Sequence, residues 1–251
     1  MPPQAFESTL PYAEAAGSRA VLGGFAASTV PTDFHDTEAD PSTLSPSLRA
    51  DLSRFEDSEK GTDLLGVLAA CLRHSKRVTI HLQCGRHALP LTLFPQEKLL
   101  HCSMNMVELM AQHLSELHVL HVEAAWITPP GPTESLLVGK SPLLHPLAPF
   151  SWELAMRGAR RELLPEIGGA AAYRVSPGMD FARLPVRGPL LASLTRLRNQ
   201  SANLRELSDW PGLDSGRAKR VLNALYLQAG LIVSRARPEA NTDSWFGALG
   251  R

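Results

Sequence analysis

The stretch from Pro189 to Arg237 constrains the fold more than any other part of the chain. Leu190, Leu191, Leu194 and Leu197 recur at helical spacing and define one apolar face. Asn203 is placed to cap a second, short helix, and Glu206 three residues later completes a capping box. Pro211-Gly212 marks a turn. Asp214 or Ser215 then starts a third helix, in which Ala218, Val221, Leu222, Leu225 and Ala229 form a single stripe. Gly230 ends that helix, and Leu231 to Ser234 read as a strand. The reading is therefore a helix-turn-helix closed by a strand, with little sequence left for a second strand after it.

Upstream the period changes from helical to alternating. Leu64, Leu65, Leu68, Cys71 and Leu72 predict a helix, with Thr62 as its N-cap. Val78, Ile80, Leu82 and Cys84 then alternate with Thr79, His81 and Gln83, as in a half-buried strand. Gly85-Arg86 turns the chain, and Leu89, Leu91 and Leu93 predict the returning strand. Lys98 to Cys102 predict a third strand. Asn105 should cap a helix with Val107, Met110, Leu114 and Leu117 inward, and His118 to Trp126 read as another strand. Helix, antiparallel meander, helix and strand make an α+β domain over residues 59–127.

Seven prolines and glycines between Thr128 and Pro149 predict a linker or surface loop over 128–149. Ser151 is expected to cap a helix running to about Leu164, with Trp152, Leu154, Ala155, Ala159 and Leu163 as its apolar positions. A mostly helical second domain thus covers residues 150–237, and 238–251 form a tail. Residues 1–58 are rich in Pro, Ser, Thr and Asp and read as an acidic tail, in which only Ser47 to Phe55 suggest a short amphipathic helix.

Charge sharpens this division. The whole chain balances 25 basic against 25 acidic residues, so no net field draws it to nucleic acid. Residues 1–60 carry ten acids and four bases, whereas residues 188–237 carry eight bases and three acids. An acidic front end and a basic back end admit mutual masking by charge complementarity. Three cysteines without C-x-x-C spacing argue against a disulfide framework. With no secretory pattern and no bilayer-length apolar run, the expectation is a cytoplasmic protein without membrane contact.

Two groups of residues together resemble the PATAN-type domains of bacterial response regulators and of gliding and phototaxis proteins. The first is Gly85, Arg86, Leu91, Leu93, Phe94 and Lys98 to Cys102, set between two helices. The second is Leu204 to Leu207 with Arg220 to Ile232, in a winged-helix-like module. The resemblance covers about residues 60 to 237, although Gln96-Glu97 stand where the turn would hold a glycine. It implies a non-enzymatic regulatory adaptor that works through protein contacts. The chain carries no receiver domain, so the signal would reach it from another protein.

The chemistry-bearing residues leave one competing reading. Arg217, Lys219, Arg220 and Asn223 avoid the apolar stripe of the third helix and are expected to face solvent, where a recognition helix meets base edges. Arg205 and Arg235 would add phosphate contacts, making the alternative a DNA-binding regulator. His81-x-x-Cys84 and His118-x-x-His121 place their members on opposite faces of a regular strand, so no metal site is expected. No nucleophile elbow, zincin motif, phosphate loop or dinucleotide fingerprint is present, so neither catalysis nor a cofactor is expected. A homo-oligomer is compatible with all of this.

Overall fold

The alternating stretch folds as a five-stranded antiparallel sheet, in a computed structural model that describes residues 44–56, 63–129, 131 and 143–235. Strands β1 (Val78–Cys84), β2 (His87–Phe94) and β3 (Leu99–Cys102) form the meander. Val78, Ile80 and Leu82 lie opposite Leu93, Leu91 and Leu89, and all six are buried, so the period-two pattern sets the register. The opposite face is not uniformly wet. Thr79 and Thr92 are also buried there, and their hydroxyls satisfy each other at 3.0 Å.

Helices α1 (Pro46–Glu56) and α2 (Leu64–His74) pack together, and Leu48 and Leu52 of α1 join the main hydrophobic core. The folded part of the chain therefore begins before residue 59. Asp63, rather than Thr62, caps α2: its side chain accepts from the Leu65 N–H at 3.1 Å. Thr62 itself, most of the acidic tail and residues 236–251 lie outside the described residues. The expected inward set after β3 is also revised. Helix α3 (Met106–Ala111) starts at Asn105 as expected, but Val107 is 77% exposed and Leu109 is the buried residue. Leu114 and Leu117 are buried, in and just after the following 3-10 turn.

Strand β4 (His118–Ala124) pairs with β1 rather than β3, giving the order β4-β1-β2-β3-β5. The fifth strand, β5 (Leu144–Pro146), lies within the segment expected to be a linker. The Cys102 N–H donates to the Leu143 carbonyl, and the Leu147 N–H donates to the Lys98 carbonyl. Helix α4 (Leu147–Arg157) follows at once, four residues before the expected cap at Ser151 and ending well before Leu164. Pro149 is tolerated because it falls in the first turn, where an N–H has no intrahelical partner. Ser151 is buried in the helix, donating to the Leu147 carbonyl at 3.0 Å.

The C-terminal part contains β6 (Ala172–Val175), α5 (Gly188–Asn199), β7 (Ala202–Asn203), α6 (Leu204–Ser208), α7 (Ser215–Leu227) and β8 (Leu231–Ser234). Its capping box is formed as the spacing predicts: Asn203 accepts from the Glu206 N–H, and Glu206 accepts from the Asn203 N–H, both at 2.9 Å. In α5, Leu190, Leu194 and Leu197 are buried, but Leu191 is 38% exposed. The second sheet has the order β7-β6-β8. The partner of β8 therefore comes from before the first helix of the module, so no hairpin wing follows β8 among the described residues. The fold is α+β, with one buried cluster running through α1, α2, the inner face of the large sheet, α4, α5 and α7.

The end of α7 also departs from the expected stripe. The Gly230 N–H donates to the Leu225 carbonyl and the Ala229 N–H to the Tyr226 carbonyl, so the helix closes in a Schellman arrangement. Ala229 is thus outside the helix, in the left-handed region at φ 52°. Gly230 lies against the Met179 side chain, which would have to shift to admit a Cβ there. Ala229→Gly should therefore raise stability by about 1 kcal/mol, read as a higher urea midpoint at unchanged m-value. Leu68→Ala, at a fully buried site, should cost about 2–5 kcal/mol in the same assay.

Candidate interaction surfaces

The third helix of the helix-turn-helix, α7, is mostly enclosed. Its N-cap is Asp214, which accepts from the Arg217 N–H at 2.8 Å. Ala218, Val221, Leu222, Ala224 and Leu225 are buried, and α4 packs against the helix. Gln228 at its C-cap donates to the Ser151 hydroxyl at 2.7 Å and to the Ala148 carbonyl at 3.1 Å.

The expectation that four polar residues of this helix face solvent fails for three of them. Asn223 is fully buried, where its Oδ1 accepts from the Leu164 N–H and its Nδ2 donates to the Glu162 carbonyl, both at 2.9 Å. Arg220 is half-buried and donates to the carbonyls of Met156 and Gly158 at 3.0 Å and of Ala155 at 3.3 Å. Those carbonyls belong to the end of α4, where a cation is favoured by the helix dipole. Burial, with the nearby Arg161 charge, pulls the Arg220 guanidinium below its ordinary value. Lys219 donates to Glu162 at 2.6 Å. That bond, together with the lysine's charge, holds the exposed Glu162 carboxyl below the usual range.

The physical reason is that the chain from 158 to 164 runs along α7 with its own backbone groups in need of partners. Of the remaining DNA-contact candidates, Arg235 donates to the Glu166 carbonyl at 2.6 Å, while Arg205 and Arg217 are exposed. Other cations of the basic back end are also engaged. Arg196 lies 4.2 Å above the Trp210 ring, and Arg198 lies 4.7 Å above Phe181 while donating to the Met179 carbonyl. A groove along α5 is lined by Gly188, Leu191, Ala192, Thr195, Arg196, Asn199 and Gln200.

A second surface lies at the β4 edge of the large sheet. A bulge between His81 and Leu82 of β1 and the facing strand leaves Leu120 unpaired, and Leu120 is 54% exposed. The bulge corrects the expected alternation. His121 pairs with His81 and His118 with Gln83, so both histidines of His118-x-x-His121 lie on the same face. The His81 and His121 rings are 6.2 Å apart, and His81 Nε2 is hydrogen-bonded to Glu123 Oε1 at 2.9 Å. That bond, with help from Trp126, holds the Glu123 carboxyl below the usual range. Among the described residues, no three ligating side chains form a group able to hold a metal. Trp126, 80% exposed, and Ile127, 42% exposed, follow the strand. The sequence signal for this surface was the run of large apolar residues at 119, 120, 122, 126 and 127, which exceeds what one buried face of a strand can absorb.

Cysteine chemistry has little support. Cys71 and Cys102 are buried, and burial pushes the Cys71 thiol up to about 12 and raises that of Cys102. No helix among the described residues is long and apolar enough to cross a membrane. No protein-family model, curated protein or solved structure matches the chain.

Two outcomes test this placement. Asn223→Ala should destabilise the protein by about 2–3 kcal/mol, because it strands a buried N–H and a carbonyl, whereas Arg217→Ala should fall within about 0.5 kcal/mol of wild type by urea denaturation. Alkylation at neutral pH should label the half-buried Cys84 and leave Cys71 unmodified in the folded protein.

Proposed function

We propose that the chain is a non-enzymatic bacterial regulatory adaptor of the cytoplasm, working through protein contacts. The observation that carries this reading is the enclosure of α7. A helix that reads DNA offers its polar face to the groove, and here Asn223, Arg220 and Lys219 are occupied with residues 155–164. The surfaces left open are instead apolar or mixed, at Leu191 on α5 and at Leu120, Trp126 and Ile127 beside β4. Exposed aliphatic and aromatic groups of this kind suit protein partners. The likeness to PATAN-type domains points the same way, towards a module that relays a signal by docking.

A DNA-binding regulator is the competing reading, and its support is now the exposed pair Arg205 and Arg217. A mobility-shift titration against mixed genomic fragments at two salt concentrations separates the two. The adaptor reading expects no shift at low salt, together with capture of a cellular protein that Trp126→Asp or Leu191→Asp loses while the fold is kept. A salt-steep shift that Arg205→Ala with Arg217→Ala abolishes would overturn it.

A further inference from the structure

We infer that α1 is a displaceable strap, seated in cis on an apolar face of α2 that is a docking site for a helix of another protein. The inference deepens the adaptor reading by naming a surface and the chemistry of the helix it takes. A helix at a protein surface buries one apolar stripe and leaves its other face to water. In α2 eight consecutive residues, Leu64 to Cys71, are buried, so this helix is covered on more than one side. The large sheet shares its buried cluster, α4 packs against it, and α1 supplies a further cover. That last cover is thin. The main neighbour of α1 is α2, and from Pro46 to Ser53 only Leu48 and Leu52 are buried. Eleven residues are too few for a helix that is stable in water by itself, so α1 stays helical only while those leucines are seated. An element held by so few buried side chains opens locally while the rest of the fold stays closed.

The polar contacts of α1 define the occupant further. Asp51 is hydrogen-bonded to His74 at 2.7 Å and paired with Arg73 at 3.1 Å, both in the last turn of α2. Arg73 is also held by Glu166 at 2.8 Å, so it keeps its place when α1 leaves. It then presents a guanidinium beside apolar surface, a setting that selects a carboxylate on whatever helix lies there. The helix that fills the site in cis thus describes what fills it in trans. It is an amphipathic helix with the pattern Leu-x-x-Asp-Leu, as in Leu48 to Leu52, laid with its apolar stripe on α2.

Amide hydrogen exchange of the full chain is the first test. The amides of Arg49 to Ser53 should exchange about a hundredfold or more faster than those of Val78 to Leu82, through an opening that leaves the sheet closed. Equal protection of the two segments overturns the inference. The second test uses the full chain with Leu48→Asp and Leu52→Asp, which keeps α1 from seating, and a fluorescein-labelled peptide of residues 44–56. The peptide should bind this variant with a Kd of about 100 µM or tighter. It should bind wild type about tenfold more weakly, because the tethered strap competes at an effective concentration in the millimolar range. Asp51→Lys in the peptide should weaken its binding about tenfold or more, since it sets a cation against Arg73. A peptide that does not bind the folded variant overturns the inference, as does one that binds wild type and variant equally. If the variant does not fold, the exchange measurement on the wild-type chain decides. A shift of DNA by the chain would overturn the adaptor reading and leave these outcomes unchanged, whereas failure here leaves the contacts at Trp126 and Leu191 to their own test.

Discussion

The two hydrogen bonds of Asn223 hold the segment that links α4 to the rest of the C-terminal half against α7. A buried amide with both ends satisfied is cheap, whereas one with either end free costs on the order of a few kcal/mol. Asn223 therefore fixes the segment around Glu162 and Leu164 against α7. Once that segment is seated, Gly158 and the end of α4 fall within reach of Arg220, and Lys219 meets Glu162. Arg160, in the same segment, pairs with Asp63, the cap of α2. A single polar anchor inside α7 thus leads, through residues 155–164, to the helix that opens the first half of the fold.

That chain of contacts explains why the two halves share a core. Arg73 near the end of α2 pairs with Asp51 of α1 at 3.1 Å and with Glu166 at 2.8 Å, so the first helices are tied to the segment preceding β6. Partly exposed pairs of this kind contribute little energy singly. Their role here is to align helices whose apolar faces already belong to one buried cluster. A basic residue count in such a chain overstates the charge free for nucleic acid, because the guanidinium groups of Arg73, Arg160, Arg196, Arg198, Arg220 and Arg235 are occupied with carbonyls, rings and carboxylates.

The β4 edge follows a different logic. The bulge opposite His81 and Leu82 turns Leu120 outward and aligns His118, His121 and Glu123 on one face, where regular alternation would have divided the two histidines. One extra residue changes both the electrostatic character and the apolar exposure of the edge.

Interactions over three or four residues, or between neighbouring strands of a meander, were legible from the sequence alone. The capping box at Asn203 and Glu206, the cap at Asp214, the register of β1 on β2 and the α+β class all arise from local spacing, because their partners are near in sequence. What tertiary structure decided lies at long separation. The partner of β8 arrives from before α5, and β5 forms within a proline-rich stretch because β3 offers it an open edge. Asn223 and Arg220 sit on positions that helical periodicity assigns to solvent, and they are covered by a segment about sixty residues away. Periodicity tells which face of a helix is apolar. It says nothing about which polar face a distant piece of backbone will need for its own hydrogen bonds, and that need determined the role of α7.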